Sequence, residues 1–305
     1  MASRIVSVFG ATGTQGNAVI HALLNDGTFT PRAIVRNPDS DAVHKLKAQG
    51  VEIVKGDGLK KDSLVDALRG SEAVFGVTAP IFPLKEEGEG PNELVWGKNI
   101  VDAAKEVGVK FFIWSSVPSV KKISGGKYSN VIHYEQKAAV EEYLQASGLA
   151  NASIHLGGFL ENYWKFNLLK KTDTGFNVAV PHFSATDCQA FTWVEQVVPA
   201  TILALLKNYT DPSKNISGKT YPLVNANISY AELAELTGKV LGVEVTFTTA
   251  PAIGMPAMDE MYKSHAEYSG LYTATPVPNS DLVALGVKFG TIQEFLETEV
   301  KPRFG

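Results

Sequence analysis

The stretch Arg4-Ile-Val-Ser-Val-Phe-Gly-Ala-Thr-Gly-Thr-Gln-Gly16 decides how the rest of the chain is read. A short apolar run ends in glycines at positions 10, 13 and 16, and the helix-forming run Ala18-Val-Ile-His-Ala-Leu-Leu24 follows. Strand, tight glycine turn and helix in that order make a dinucleotide pyrophosphate site. In this reading Gly10 permits the sharp turn, and Gly13 lets the backbone approach the phosphates. Gly16 lets the helix over residues 17–25 lie tightly on the sheet. The amides of Thr12, Gly13, Thr14 and Gln15 then face the diphosphate, helped by the positive end of that helix.

Outward from this turn, strand and helix signals alternate. Residues 32–36, 51–55, 73–78 and 109–114 read as strands, and 41–49, 61–69 and 92–107 as helices closed by Gly50, Gly70 and Gly108. Residues 80–91 read as a polar loop. The rhythm predicts an α/β fold, a Rossmann-like doubly wound parallel sheet with helices on both faces. Ligands on such sheets gather at the strands' carboxyl ends, where Arg36, Asp57, Thr78 and Ser115 stand. Beyond Gly157 the pattern loosens. Residues 159–171 and 192–206 look helical, 219–224 form a late strand, and 230–241 form a helix behind Ser229 as N-cap. The proline- and aromatic-containing stretch 250–278 fits an irregular lid. We therefore expect a nucleotide domain over residues 1–156, to which 190–225 return. A smaller, discontinuous substrate- or partner-binding lobe takes up most of 157–305.

At 305 residues the chain can bury a large core, and 45% hydrophobic with 20% charged residues is ordinary for a globular protein. A net charge of −4, with no basic stripe, argues against direct nucleic-acid binding. The single cysteine, Cys188, excludes an internal disulfide framework. No apolar run is long enough to span a bilayer, and the first strand starts too near Met1 to leave room for a secretory signal. The expectation is a cytoplasmic protein, nuclear as well in the broader reading.

The second strand ends in Arg36-Asn37 where NAD-preferring folds place an acid that bonds the adenosine ribose. An acid would repel a 2′-phosphate, whereas arginine can grip it with two charge-assisted hydrogen bonds. The reading favours NADP(H) as cofactor. Asp57 either lies beside the adenine or caps the following helix, and Thr78-Ala79 would wall the adenosine ribose. Beyond the fifth strand come Ser115-Ser116 and then His133-Tyr-Glu-Gln-Lys137. His133 and Tyr134, four and three residues before Lys137, straddle its direction on one helical face. The histidines show no metal-ligand spacing with cysteines or acids, and no serine sits in a nucleophile elbow, so metal hydrolysis and acyl transfer are unsupported.

On these residues the chain resembles the NmrA-like group of atypical short-chain dehydrogenases. The carrying motifs are Gly10-Ala-Thr-Gly-Thr-Gln-Gly16, Val35-Arg-Asn-Pro38, Gly56-Asp57 and the helix His133…Lys137-Ala-Ala-Val-Glu-Glu-Tyr143. Gly158-Phe-Leu-Glu-Asn-Tyr163 is similar to the group's segment near the nicotinamide. In ordinary short-chain dehydrogenases a tyrosine four residues before the lysine donates a proton to the substrate carbonyl. Here His133 takes that place, a departure common in this group, whose members include both reductases and NADP(H)-responsive regulators. The resemblance implies that Lys137 holds the cofactor ribose or polarises a carbonyl, with His133 as a proton donor. Ser115 or Ser116 would touch substrate.

Aromatic side chains at Phe82, Phe159, Tyr163, Trp164, Met261 with Tyr262, and Tyr268 are expected to line a cleft suited to an uncharged quinone, enone or aldehyde. The rival expectation is a sensor of the NADPH/NADP ratio that acts through a regulatory protein partner.

Overall fold

A computed structural model describes residues 4–86, 88–273 and 275–305. Residues 1–3, Glu87 of the expected 80–91 loop and Ala274 of the expected 250–278 lid lie outside the described residues. The first half alternates as the sequence rhythm predicts. The elements are β1 (Ile5–Val8), α1 (Thr14–Asp26), β2 (Thr30–Val35), α2 (Asp41–Ala48), β3 (Glu52–Lys55), α3 (Lys61–Leu68), β4 (Ser71–Gly76), α4 (Glu93–Glu106) and β5 (Phe111–Ser116). A helical turn, α5 (Val120–Ile123), precedes α6 (Ile132–Ala146) and β6 (Asn151–Leu156). There follow β7 (Gly158–Phe159), α7 (Asn162–Lys165), β8 (Leu169–Lys171), β9 (Gly175–Pro181), β10 (Cys188–Thr192) and α8 (Val194–Asn208). The last part holds β11 (Lys219–Leu223), β12 (Ala226–Ser229), α9 (Tyr230–Leu241), β13 (Glu244–Ala250), α10 (Pro256–Glu267), α11 (Ser280–Ala284) and α12 (Ile292–Phe295).

Contacts divide the chain into two compact units. One takes the chain up to Val117, then Ile132–His155 and Val198–Tyr221; the other takes Pro118–Val131, Leu156–Val197 and Pro222–Gly305. The first unit is built on a seven-stranded sheet in the order β11-β6-β5-β4-β1-β2-β3. Every pairing from β6 across to β3 is parallel. The strands are buried on both faces, so they read as continuous apolar runs: Val6, Val8, Phe75, Phe112 and Trp114 are wholly buried. The chain moves outward one way from β1 and the other way from β4. The topological switch point therefore lies at the carboxyl ends of β1 and β4.

The second unit carries two three-stranded sheets, β12-β10-β7 and β13-β9-β8. Its core gathers Tyr163, Phe183, Phe191, Tyr230, Leu233 and Phe295. Two expectations are corrected here. Residues 159–171 are not one helix: Gly158–Phe159 pairs with Phe191–Thr192, only Asn162–Lys165 is helical, and Leu169–Lys171 pairs with β9. Sheet partners distant in sequence outweigh the local helical pattern. The 250–278 stretch is not an irregular lid, because Pro256 opens the twelve-residue helix α10. A proline read as a breaker is here a helix starter, since the first turn needs no amide donor. Among the described residues no helix is long and apolar enough to cross a membrane.

Candidate functional site

The β1–α1 turn is held by its own backbone. The Gly13 amide donates to the Gly10 carbonyl at 2.8 Å, and Gly10 has φ of 62°, a left-handed conformation that suits glycine. A Cβ on Gly16 would lie 2.3 Å from the Gly10 oxygen, so only glycine lets the helix pass this close to the turn. Gly13 is extended and serves as N-cap residue of α1 without a side-chain cap, and the first turn of α1 holds no acid. The first turn thus brings no carboxylate of its own to the positive helix end, and an oxyanion such as a diphosphate fits it. Thr12 lies exposed beside it. Gln15 turns elsewhere: its Oε1 accepts a hydrogen bond from Ser115 Oγ at 2.6 Å, tying α1 to the end of β5.

Arg36 and Asn37 are exposed just beyond β2. Asn37 Oδ1 accepts from the Asp39 amide at 3.1 Å, which shapes the turn. The Arg36 guanidinium stands over the Trp96 ring, 5.5 Å from its centroid, and among the described residues no carboxylate or carbonyl accepts a hydrogen bond from it. Asp57 closes its own turn, accepting from the Leu59 amide at 3.1 Å ahead of α3. Asp57 therefore does not cap α3, whose N-cap residue is Lys60 with no side-chain cap; its carboxylate closes the preceding turn.

At the end of β4 stands a buried polar cluster. Lys137 Nζ donates to the Thr78 carbonyl at 2.7 Å, to Thr78 Oγ1 at 3.2 Å, and to Glu93 Oε1. Thr78 Oγ1 in turn donates to Glu93 Oε1 at 2.6 Å. Glu93 is 1% exposed, and its second oxygen is buried without a partner. The Glu93 amide donates to Gln136 Oε1 at 3.1 Å, and Gln136 Nε2 donates to the Lys85 carbonyl at 2.6 Å. An ammonium has three N–H donors, and here three acceptors meet them. Lys137 thus offers a neighbouring group its charge, not a spare donor. Ala79 next to it is exposed. Glu93 was not legible as a partner of Lys137, because an acid just after an N-cap (Asn92 Oδ1 accepts from the Val95 amide) already has a local explanation in the helix dipole.

His133 is 8% exposed, and its Nδ1 is buried without a partner. Burial, joined by the nearby Lys137 charge, pushes its pKa down to about 4. At neutral pH the ring is uncharged, so an imidazolium proton donor is not available there. Ser116 is buried, with Oγ donating to the Lys137 carbonyl at 3.2 Å, so its hydroxyl is directed at backbone. Tyr134 stands edge-on to His133 at 5.1 Å between ring centroids.

Of the expected aromatic lining, Phe82 in the first unit is 59% exposed. In the second unit, Gly158 and Phe159 are half-buried in the short strand β7. Tyr163 is not a lining residue: it is buried in that unit's core, its hydroxyl 3.1 Å from Thr237 Oγ1, and desolvation raises its pKa. Trp164 stacks on Phe295 at 5.8 Å, and the Arg303 guanidinium lies over its ring at 4.3 Å. Tyr262 packs against the same core and its pKa is raised by burial, whereas Met261 and Tyr268 are half-buried on α10 and at its end. The aromatic count in this region reflects core packing that a linear sequence does not separate from a ligand wall.

The model of the NmrA-like family matches residues 2–296. The chain belongs to the NmrA-like family. Among relatives, an NmrA-like family domain-containing oxidoreductase of an Aspergillus species is 42% identical over 146 residues, covering 48% of this chain and 43% of that protein. The chain thus spans about half the length, or less, of the curated relatives it matches most strongly. Among solved structures, NmrA, described as a negative transcriptional regulator in complex with NADP, has a TM-score of 0.76 at 18% identity, covering 99% of this chain and 96% of its own. An NADPH-dependent quinone oxidoreductase from Escherichia coli has a TM-score of 0.69 at 22% identity, covering 95% and 98%. At these identities the structures establish the NmrA-like fold.

Proposed function

We propose that this NmrA-like protein binds NADP(H) and reduces a small uncharged quinone, enone or aldehyde. The observation that carries the reading is the donor arrangement at the strand ends of the first unit: a helix start without a side-chain cap over a glycine turn, with an exposed arginine beyond β2 that no acceptor among the described residues engages. We assign cofactor binding to that unit, and substrate or partner recognition largely to the other. The α1 start and the Gly10–Gly16 turn bind the diphosphate, and Arg36 binds the 2′-phosphate. The bound nicotinamide supplies the hydride. Lys137, anchored by Glu93 and Thr78, supplies fixed positive charge near the switch point. His133, uncharged at neutral pH, orients by packing, and water brings the proton to the reduced oxygen. Phe82, exposed in this unit, presents an aromatic face that suits an apolar compound. Relatives named oxidoreductases and a quinone oxidoreductase of the same fold support this reading.

The second reading is a redox sensor acting through a protein partner. It is favoured by the engagement of all three Lys137 donors and by the uncharged state of His133. NmrA, the regulator of like fold, supports it too.

Hydrogen bonds to charged groups contribute roughly 1.5–3 kcal/mol, so Arg36→Ala is expected to weaken NADPH binding by about one to two decades while NADH binding hardly changes. Calorimetry that finds NADH bound as tightly as NADPH by the native protein overturns the cofactor assignment. NADPH oxidation across a panel of quinones, enones and aldehydes supports the reductase. Tight NADPH binding with no turnover on that panel supports the sensor.

A further inference from the structure

We infer that Trp96 is the positioning residue for Arg36, and hence a determinant of selectivity for a 2′-phosphorylated dinucleotide. This rests on the NADP(H) reading above and adds to it a residue that lies outside every nucleotide motif of the sequence.

Trp96 sits in the first turn of α4 and is half-buried, packed against the hydrophobic core of the sheet unit. Its indole edge is pressed against the β3–α3 loop: a Cβ on Gly58 would fall 1.9 Å from the indole nitrogen. Asn99, one turn further along α4, donates from Nδ2 to the Gly58 carbonyl at 3.1 Å and keeps that loop against the ring. The indole is thus fixed between a helix and a loop, with its face towards Arg36.

The indole N–H is buried without an acceptor. An orphan buried donor costs free energy, and a phenylalanine would avoid that cost. What the indole offers instead is the strongest aromatic face for a cation. Arg36 lies over that face at 5.5 Å and has no other protein partner among the described residues. A guanidinium held over a ring face spends no hydrogen bond there, so its N–H donors stay available and two of them can meet a phosphate. Without the ring, an exposed arginine samples many rotamers, and ordering it on binding opposes affinity. Trp96 removes part of that ordering cost before the ligand arrives.

The test measures dissociation constants by calorimetry for NADPH, NADH and 2′,5′-ADP with the native protein, Trp96→Leu, Trp96→Phe and Arg36→Ala. Circular dichroism checks that each is folded. Trp96→Leu is expected to weaken NADPH and 2′,5′-ADP by roughly three- to tenfold and NADH by less than about twofold. Trp96→Phe, which keeps an aromatic face, is expected to retain most of the selectivity. Equal weakening of NADPH and NADH by Trp96→Leu makes the ring a packing residue and overturns the inference, as does no change in either. If Arg36→Ala lowers the NADPH/NADH ratio while Trp96→Leu does not, the inference fails and the cofactor reading stands. If Arg36→Ala leaves the ratio unchanged, the cofactor reading fails and the inference falls with it.

Discussion

Two polar regions at the strand ends of the sheet unit are built on opposite principles. At the β1–α1 turn the first helical turn carries no acid, and exposed Arg36 lies over the Trp96 ring with no hydrogen-bond acceptor among the described residues. At Lys137 and Glu93, charge is buried and every donor of the ammonium is engaged. The first arrangement contributes nothing to the fold that a ligand would have to displace, so it is ready for an anion. The second is part of the fold, and joins β4, α4 and α6 whether or not a ligand is present. Exposed and buried charge are thus carried by different cations of one unit, and the proposed function gives 2′-phosphate binding to the exposed one.

The sharpest way to break this contrast is to remove Glu93. Taking away one partner of a buried pair leaves an uncompensated charge, so Glu93→Ala is expected to destabilise the protein by about 3–5 kcal/mol in denaturant unfolding. Adding Lys137→Met to Glu93→Ala should recover much of that loss, because the orphan charge is then gone. If Glu93→Ala unfolds at the native denaturant midpoint, the cluster is not part of the architecture.

The opposite region should behave in reverse. Gly13→Val places a branched side chain where a diphosphate must approach, and its Cβ would lie 3.3 Å from the Gly10 oxygen, close but tolerable. Dinucleotide affinity is expected to fall on the order of a hundredfold, about 2.7 kcal/mol, with circular dichroism unchanged. Retained affinity in a folded variant moves the nucleotide site elsewhere.

The smallest effect concerns His133, next to the buried cluster. Its folded pKa of about 4 lies below the unfolded value of about 6.5, so the unfolded chain binds the extra proton as pH falls. The folded state then loses stability on acidification, starting below the unfolded pKa and levelling off past the folded one. Between about pH 7.5 and about pH 5 the stability advantage of the native protein over His133→Phe should shrink by about 2 kcal/mol. A pH-independent difference would place the ring in water.

The parts of this protein readable from sequence are those whose cause is local. Glycines at 10, 13 and 16 announce a turn because their backbone demands arise within a few residues, and Arg36 marks a strand end by position. The βα rhythm up to β5 follows from periodicity and from helix stops such as Gly50, Gly70 and Gly108. Ser229 as an N-cap, accepting from the Glu232 amide at 3.0 Å, is equally local. The strand β13, unexpected from the sequence, is held by pairing with β9, Glu244 against Gly175, partners far apart in the chain.

What the sequence alone determined, then, is the nucleotide turn, the family, and the sheet built outward from them, because each rests on short-range backbone and side-chain chemistry. The tertiary structure alone decided that Lys137 answers to Glu93, that Trp96 carries Arg36, that His133 is uncharged at neutral pH, and that Tyr163 is core. Those facts depend on desolvation and on contacts between residues dozens of positions apart. Burial and partnership are properties of the packed chain, and no spacing along it encodes them.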